Sequence, residues 1–149
     1  KKIGVQGVGQ VGKYLINYLV KEGAEILITD IFEDKLREIA NSTGATVVDP
    51  NVIYDLSMDI YAPCALGATI NDQTIDRLKC AVIAGGANNQ LKDEAKHGKI
   101  LMEKGIIYAP DFLINAGGVI NVGAEYYGDY HEETVFAQTE KIYNTCLTI

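Results

Sequence analysis

Short apolar runs alternate along the chain with longer segments in which apolar residues recur at helical spacing. The first apolar run, at 3–5, lies in a strand predicted at 2–6, and from residue 9 to about residue 21 it is followed by apolar residues three and four positions apart. The same alternation predicts further strands at 25–29, 46–48, 59–62, 80–84 and 106–108, and helices at 32–42, 72–78, 93–104, 117–127 and 132–149. Strands that alternate with helices are typical of a mostly parallel sheet covered on both faces, so the pattern predicts an α/β, doubly wound fold.

The residues between these segments mark where the elements end. Pro63 is predicted to stop the strand at 59–62, and Asn71 or Asp72 is predicted to cap the helix that follows. The run at 80–84 is apolar throughout, which predicts a fully buried strand. Gly128-Asp129 separates the last two predicted helices.

The first strand leads directly into Gly7-Val8-Gly9-Gln10-Val11-Gly12, which matches the pattern GxGxxG between a strand and a helix. Gly7 allows the tight turn, Gly9 lets a pyrophosphate approach the backbone, and Gly12 lets the helix pack against the strand. The helix start at Gln10 and Val11 offers free N–H groups and the positive end of the helix dipole to an anion. The sequence therefore predicts a dinucleotide at a Rossmann-type sheet.

Asp30 and Ile31 follow the second predicted strand, and Asp30 lies 23 positions after Gly7. A carboxylate at this distance suits the two hydroxyls of the adenosine ribose and repels a 2′-phosphate, by about 4 kcal/mol per unit charge before solvent screening. This favours NAD over NADP. The alternative is that Asp30 only caps the turn before the next helix.

Further unusual loops follow the later strands, and in a doubly wound sheet ligands bind beyond the carboxyl ends of the strands. Pro63 to Gly67 contains Cys64, Ala65 and Leu66, and the next such loop contains Ala87, Asn88 and Asn89. The two asparagine amides suit a carboxamide or ribose hydroxyl, or else form an Asx-turn. Asn115 precedes two glycines, where it either binds a substrate carboxylate or caps a helix. Cys64 is interpreted as a buried structural thiol and not as a nucleophile.

The composition limits the partners. The 149 residues carry a net charge of −7 and a pI near 4.7, which argues against nucleic acid and against an anionic membrane surface. Three cysteines form no metal-like spacing and predict reduced thiols in a cytoplasmic protein. The chain lacks an initiator methionine and opens on a strand, so we expect one domain of a longer protein.

Three segments make the second half more specific. They are Asp59-Ile60-Tyr61-Ala62-Pro63-Cys64-Ala65-Leu66-Gly67, Gly86-Ala87-Asn88-Asn89-Gln90-Leu91 and the segment from Tyr108 to Val122, which contains Asn115-Ala116-Gly117-Gly118-Val119-Ile120. The chain resembles over its whole length the cofactor domain of the glutamate, leucine, phenylalanine and valine dehydrogenases, and its motifs are nearest to those of the leucine-specific members. These motifs are far more specific than GxGxxG.

The resemblance implies reversible, NAD-linked oxidative deamination of a branched-chain L-amino acid to its 2-oxo acid and ammonia. It implies a cofactor site at Gly7, Gly9, Gln10, Val11, Gly12, Asp30, Ile31, Cys64, Ala65, Leu66, Ala87, Asn88 and Asn89. It further implies that Asn115 contacts the substrate near its carboxylate and that Val119 and Val122 form an aliphatic side-chain pocket. Discrimination between such hydrophobic substrates is modest, since one methylene is worth about 1–3 kcal/mol.

The resemblance also concerns the catalytic residues. The catalytic lysines and aspartate of such enzymes belong to a preceding catalytic domain, so we assign no catalytic residue here and expect the 149 residues alone to bind NAD without turnover. Relatives of this kind are homo-oligomers. The alternatives left open are a phenylalanine or valine dehydrogenase, a nucleotide-sensing module of the same fold, and a structural fragment with an empty cleft.

Overall fold

A computed structural model describes residues 1–128 and 130–148, which contain six strands and six α-helices. The strands are β1 (Lys2–Gln6), β2 (Glu25–Thr29), β3 (Thr46–Val47), β4 (Ile60–Pro63), β5 (Val82–Ile83) and β6 (Ile107–Tyr108). The helices are α1 (Gln10–Lys21), α2 (Glu33–Thr43), α3 (Glu94–Glu103), α4 (Asp111–Ile114), α5 (Ala116–Tyr126) and α6 (Glu132–Cys146). None of these helices is both long enough and apolar enough to span a membrane.

All six strands are parallel and belong to one sheet with the order β3-β2-β1-β4-β5-β6. The chain runs outward from β1 to β3 in one direction and, after crossing back, from β4 to β6 in the other. The order therefore reverses between β1 and β4, and a crevice opens at their carboxyl ends. The predicted α/β doubly wound fold is confirmed.

Apolar side chains fill both faces of the sheet. Along β4, Tyr61 points into a cluster with Ile53, Ile70 and Ile83, whereas its neighbour Ala62 belongs to a second cluster under α1 and α2. Successive side chains of a strand point to opposite faces, so a parallel strand that is buried on both sides needs such a run of apolar residues. The second cluster holds α1 and α2 against the strands that carry the glycine turn.

Two strand predictions need correction. The strand predicted at 80–84 forms ladder pairs only at Val82–Ile83, and it is not fully buried, because Ala81 is exposed. Pro63 does not stop β4 early: it is the last residue of that strand, paired with Gln6. A proline is tolerated there because the missing N–H falls at the end of the ladder, and the next residue resumes the hydrogen bonding.

The helix predicted at 72–78 is also wrong, because only a 3₁₀ turn forms at Ile75–Arg77. The predicted cap at Asn71 forms: Asn71 Oδ1 accepts from the N–H of Gln73, and Thr74 Oγ1 accepts from the N–H of Asn71, which is the reciprocal arrangement of a helix start. The turn nevertheless ends at Arg77, because Leu78 is extended, with a ψ of 129°. The short helix α4 was not predicted. Asp129 and Ile149, at the predicted break and the predicted chain end, lie outside the described residues.

Asp72, the other candidate for that cap, joins the turn to α3. Its Oδ1 accepts from Lys96 Nζ at 2.6 Å and from His97 Nε2 at 3.0 Å. These two hydrogen bonds, with Lys96 the larger cause, lower the pKa of Asp72 from 3.8 to about 2. Because the folded-state pKa is depressed, the stabilisation is fully present above the unfolded pKa and is lost as the pH falls through about 2.

We therefore expect Asp72→Asn to lower the melting temperature at neutral pH, with the difference from the parent chain shrinking steadily between about pH 4 and pH 2. Thermal unfolding of both chains followed by circular dichroism across this range measures the gap. Asp34→Asn, a charge removal at an exposed helix position, is the control. A gap that stays constant down to pH 2 would contradict the assignment.

Candidate functional site

A turn containing three glycines joins β1 to α1 at the carboxyl edge of the sheet. Gly7 has a φ of +104°, which L side chains rarely adopt, and a Cβ there would lie 2.5 Å from the backbone nitrogen of Ala65. Gly12 is more confined, because a Cβ there would lie 2.0 Å from the carbonyl oxygen of Gly7. Apart from Gly9 itself and its two chain neighbours, no atom of the described chain lies within 4 Å of a Cβ built on Gly9. The turn is thus closed toward β4 and open at Gly9, as the approach of a pyrophosphate requires.

Asp30 connects this turn to the end of β2. One carboxylate oxygen accepts from the N–H of Val8 at 2.7 Å, and the other accepts from the N–H of Phe32 at 3.1 Å. Each carboxylate oxygen can accept more than one hydrogen bond, so the group remains able to receive ribose hydroxyls. Asp30 therefore fills the predicted local turn role and also presents a negative charge beside the glycine turn.

A cleft of about 370 Å³ opens between these elements. Its walls contain seven of the residues predicted for the cofactor: Gly7, Gly9, Asp30, Ile31, Cys64, Ala65 and Leu66. The remaining wall residues were not predicted: Gln6, Thr29, Phe32, Lys35, Pro50 and Thr69. Gln6 and Thr29 are the last residues of β1 and β2, so the rule that sites lie at strand ends was the signal that could have found them.

The cleft fits a dinucleotide on two grounds. The backbone is accessible at Gly9, where a side chain would project into the space that a phosphate needs. In addition, Thr29 lines the cleft, and its hydroxyl is buried without a hydrogen-bond partner among the described residues. Buried polar groups are normally satisfied, so this hydroxyl is suited to a polar ligand at that wall of the cleft.

Backbone hydrogen bonds join the loop after β4 to the loop after β5. The N–H of Ala87 donates to the carbonyl of Pro63 at 3.0 Å, and the N–H of Ala68 donates to the carbonyl of Asn89 at 2.6 Å. The contact needs a glycine, because a Cβ at Gly85 would lie 2.2 Å from the carbonyl oxygen of Pro63. Two segments more than twenty positions apart therefore form one wall of the site.

The asparagines of the second loop meet the segment after β6. Asn115 Nδ2 donates a hydrogen bond to Asn88 Oδ1, so the structure brings these two predicted residues together. Asn88 and Asn89 are exposed, and Asn89 has a φ of +51°. An asparagine tolerates this left-handed conformation better than most residues do. The Asx-turn alternative for Asn88 finds no support here, because its side-chain oxygen accepts from Asn115.

Five further predicted residues lie on the helices α1 and α5. Gln10, Val11 and Gly12 form the first turn of α1, and a Cβ on Gly86 would lie 2.4 Å from Val11 Cγ1. Val119 and Val122 lie on α5, are 76% and 62% exposed, and do not line the 370 Å³ cleft. Val119 instead borders a groove between α5 and α6. The structure does not bring these two valines to the dinucleotide cleft.

Cys64 lies in the cleft wall with its side chain largely buried. Burial raises the pKa of its thiol, and the N–H of Gly86, 3.5 Å from Sγ, opposes this only in part. Cys80 is buried and its pKa is raised for the same reason, whereas Cys146 is exposed. Because the thiolate is the reactive species, the interpretation of Cys64 as an inert thiol agrees with this environment.

We expect iodoacetamide at about pH 7.5 to modify Cys146 at least roughly tenfold faster than Cys64 or Cys80. Peptide mass spectrometry over a time course gives the three rates. In urea the three rates should become similar, which is the control for intrinsic reactivity. Preferential modification of Cys64 in the folded chain would show that its thiol is activated.

The chain was compared with known proteins. The family model described as "Glutamate/Leucine/Phenylalanine/Valine dehydrogenase" matches residues 28–148. Leucine dehydrogenase of Bacillus cereus is 54% identical over 145 residues, which cover 97% of this chain and 39% of that protein. Phenylalanine dehydrogenase of Bacillus thermotolerans is 47% identical over 148 residues, with 96% and 38% covered.

A solved structure shows the same fold over nearly the whole chain. The crystal structure of L-tryptophan dehydrogenase from Nostoc punctiforme superposes with a TM-score of 0.94 at 48% identity. The superposition covers 98% of this chain and 43% of that one. The chain thus spans about two fifths of the length of the relatives it matches.

Proposed function

Because the chain belongs to the family of glutamate, leucine, phenylalanine and valine dehydrogenases, we propose that it is the NAD-binding domain of an amino-acid dehydrogenase. The proposed reaction is the reversible oxidative deamination of a branched-chain L-amino acid to its 2-oxo acid and ammonia. The observation that carries the proposal is the cleft at the switch point of the sheet, where Asp30 and the open side of Gly9 face the same space.

Each part of the site has a proposed task. Gly7, Gly9 and Gly12 admit the pyrophosphate to the N-terminus of α1, and Asp30 receives the hydroxyls of the adenosine ribose. NAD, when bound, supplies the acceptor for a hydride from the substrate. The loops that carry Asn88 and Asn115 hold the nicotinamide end and the substrate, and the exposed amides provide both donors and acceptors for them.

The proton-transfer groups are proposed to lie in the remaining three fifths of the protein, which these residues do not include. Asp30 and Lys35 are the charged residues in the walls of the cleft. The Lys35 ammonium lies 4.9 Å from the centre of the Phe32 ring, on the adenosine side beside Asp30. We assign no catalytic role to either residue, and we propose that a preceding domain supplies the base and completes the substrate site.

The preferred substrate is proposed to be leucine or another branched-chain amino acid. The support is the aliphatic character of Val119 and Val122 together with the 54% identity to a leucine dehydrogenase. The matches to phenylalanine and L-tryptophan dehydrogenases, at 47% and 48% identity, support an aromatic substrate as the second candidate. We further propose a homo-oligomer in the cytoplasm, where the three free thiols would remain reduced.

Two measurements test the proposal. Titration of the 149-residue chain with NADH, followed by the enhancement of nicotinamide fluorescence, should give saturable binding. Incubation of the same chain with leucine and NAD should give no increase in nicotinamide absorbance, and joining it to the rest of its protein should restore turnover. Absence of NADH binding would refute the dinucleotide site. Binding without turnover by the whole protein on leucine, phenylalanine and tryptophan would favour a nucleotide-sensing module.

A further inference from the structure

Gln90 is a buried polar residue to which the proposed function gives no task. It is fully buried and lies at the end of the loop that contains Ala87 and Asn88. Its Nε2 donates to the carbonyl of Gly85 at 2.6 Å and to the carbonyl of Ala87 at 2.9 Å. Both partners are acceptors, so the amide nitrogen must face them. A single side chain therefore fixes the start and the middle of the loop.

Asp111, the first residue of α4, forms hydrogen bonds that join the same loop to this helix. One oxygen of its carboxylate accepts from the backbone N–H of Gln90 at 3.0 Å, and the other accepts from the N–H of Phe112 at 2.7 Å. Asn115 follows α4 directly and donates to Asn88. The loop after β5 is thus attached to one short helix at two points, through Gln90 at its end and through Asn88 in its middle.

The backbone of this loop would not hold its shape unaided. Asn89 has a φ of +51°, and its carbonyl accepts from the N–H of Ala68, which itself has a φ of +65°. Non-glycine residues in this region are strained and persist only where surrounding contacts impose them. Gln90 also leaves its own Oε1 buried without a partner in the described chain, which is a cost that an apolar residue would not carry.

We propose that Gln90 and Asp111 are positioning residues that hold Ala87 and Asn88 in the conformation that receives the nicotinamide half of the cofactor. Neither residue lines the 370 Å³ cleft, so their effect passes through the loop. The inference rests on the proposed function, because it presumes that NAD binds with its nicotinamide beside Asn88. It adds that the nicotinamide end of the site is built separately from the adenosine end around Asp30.

The separation of the two ends provides the test. ADP contains the adenosine and the pyrophosphate of NAD but lacks the whole nicotinamide half, including its ribose. Gln90→Met preserves length and burial, removes both donors and leaves the carbonyls of Gly85 and Ala87 without these bonds. We expect the NAD dissociation constant to rise about tenfold in this variant, which is within the range for buried polar groups left unpaired, and that of ADP to change less than about twofold. Isothermal titration calorimetry measures both ligands.

Asp111 provides a second variant that avoids the core. Asp111→Ala should reproduce the selective loss of NAD affinity, and Asp111→Asn, which keeps an oxygen acceptor, should restore part of it. Gln73→Met is the matched control, because Gln73 is exposed and its loop lies elsewhere. Melting temperatures of all variants show whether each chain is folded.

The outcomes separate the two proposals. If the parent chain binds neither NAD nor ADP, the proposed function fails and the positioning role fails with it. If the parent chain binds both ligands and the Gln90 and Asp111 variants lose both equally, or lose neither, only the positioning role is overturned. Selective loss of NAD in Gln90→Met and Asp111→Ala, with Gln73→Met unchanged, supports it.

Discussion

Gly12→Ala is expected to destabilise the folded chain by at least about 3 kcal/mol and to abolish dinucleotide binding. The added Cβ would lie 2.0 Å from the carbonyl oxygen of Gly7, and that oxygen belongs to the backbone of the turn. No rotamer change can relieve such a contact. The start of α1 would have to move away from β1, and the second cluster of apolar side chains would open with it.

For a domain of this size the loss corresponds to a fall in melting temperature of roughly 10 °C. Urea and thermal unfolding followed by circular dichroism measure it. Gly9→Ala is the matched control, because no described atom beyond its two chain neighbours lies within 4 Å of its Cβ. This variant should fold with nearly unchanged stability and yet bind NADH more weakly, since the methyl group enters the space proposed for the pyrophosphate. A Gly12→Ala chain as stable as the Gly9→Ala chain would refute the packing argument.

Asp30→Asn is expected to remove most of the preference for NAD over NADP. The carboxylate lies in the wall of the cleft beside the glycine turn, and a 2′-phosphate at about 4 Å would meet a repulsion of roughly 4 kcal/mol per unit charge at an effective dielectric constant of 20. Solvent screening reduces this, so we expect the ratio of the two dissociation constants to fall about ten- to a hundredfold. An asparagine retains the oxygen that accepts from Val8 and loses only the acceptor for Phe32, which is the longer of the two bonds.

Fluorescence titrations with NADH and NADPH at low and high salt give the ratio in each chain. Because the effect is electrostatic, it should shrink as the salt concentration rises. Asp34→Asn, which removes the same charge from an exposed position on α2, should leave the ratio unchanged. If the ratio is unaltered in Asp30→Asn, then Asp30 has only a local role at the turn and does not select the cofactor.

The parts of the molecule that the sequence predicted well depend on short-range rules. The turn at Gly7 and Gly12 and the charge at Asp30 follow from spacing within thirty residues, and the parallel order follows from alternation of strands and helices. The helix expected at 72–78 is only a 3₁₀ turn at Ile75–Arg77, because the chain becomes extended at Leu78 although Asn71 and Thr74 form the hydrogen bonds of a helix start. A pattern of apolar positions does not show where such a turn ends.

The rest of the site depends on contacts between distant segments. Gln90 is fully buried, although a glutamine in a polar loop is normally exposed. The spacing of residues does not show that Asp111, in α4, accepts from its backbone N–H. In the sequence Thr29 is an ordinary strand residue. Only the structure shows that it lines the cleft and that its hydroxyl has no partner among the described residues. Val119 and Val122 are exposed on α5 and lie outside the dinucleotide cleft.

The atoms that a Cβ would meet at each glycine decide which substitutions related sequences can accept there. A Cβ at Gly7 or Gly12 would meet backbone, so no second substitution can make room for it. At Gly86 the obstacle is Val11 Cγ1, which is one methyl group of a side chain. Natural sequences should therefore keep glycine at positions 7 and 12 independently of the rest. Positions 11 and 86 should change together, with alanine at 86 accompanied by a smaller residue at 11.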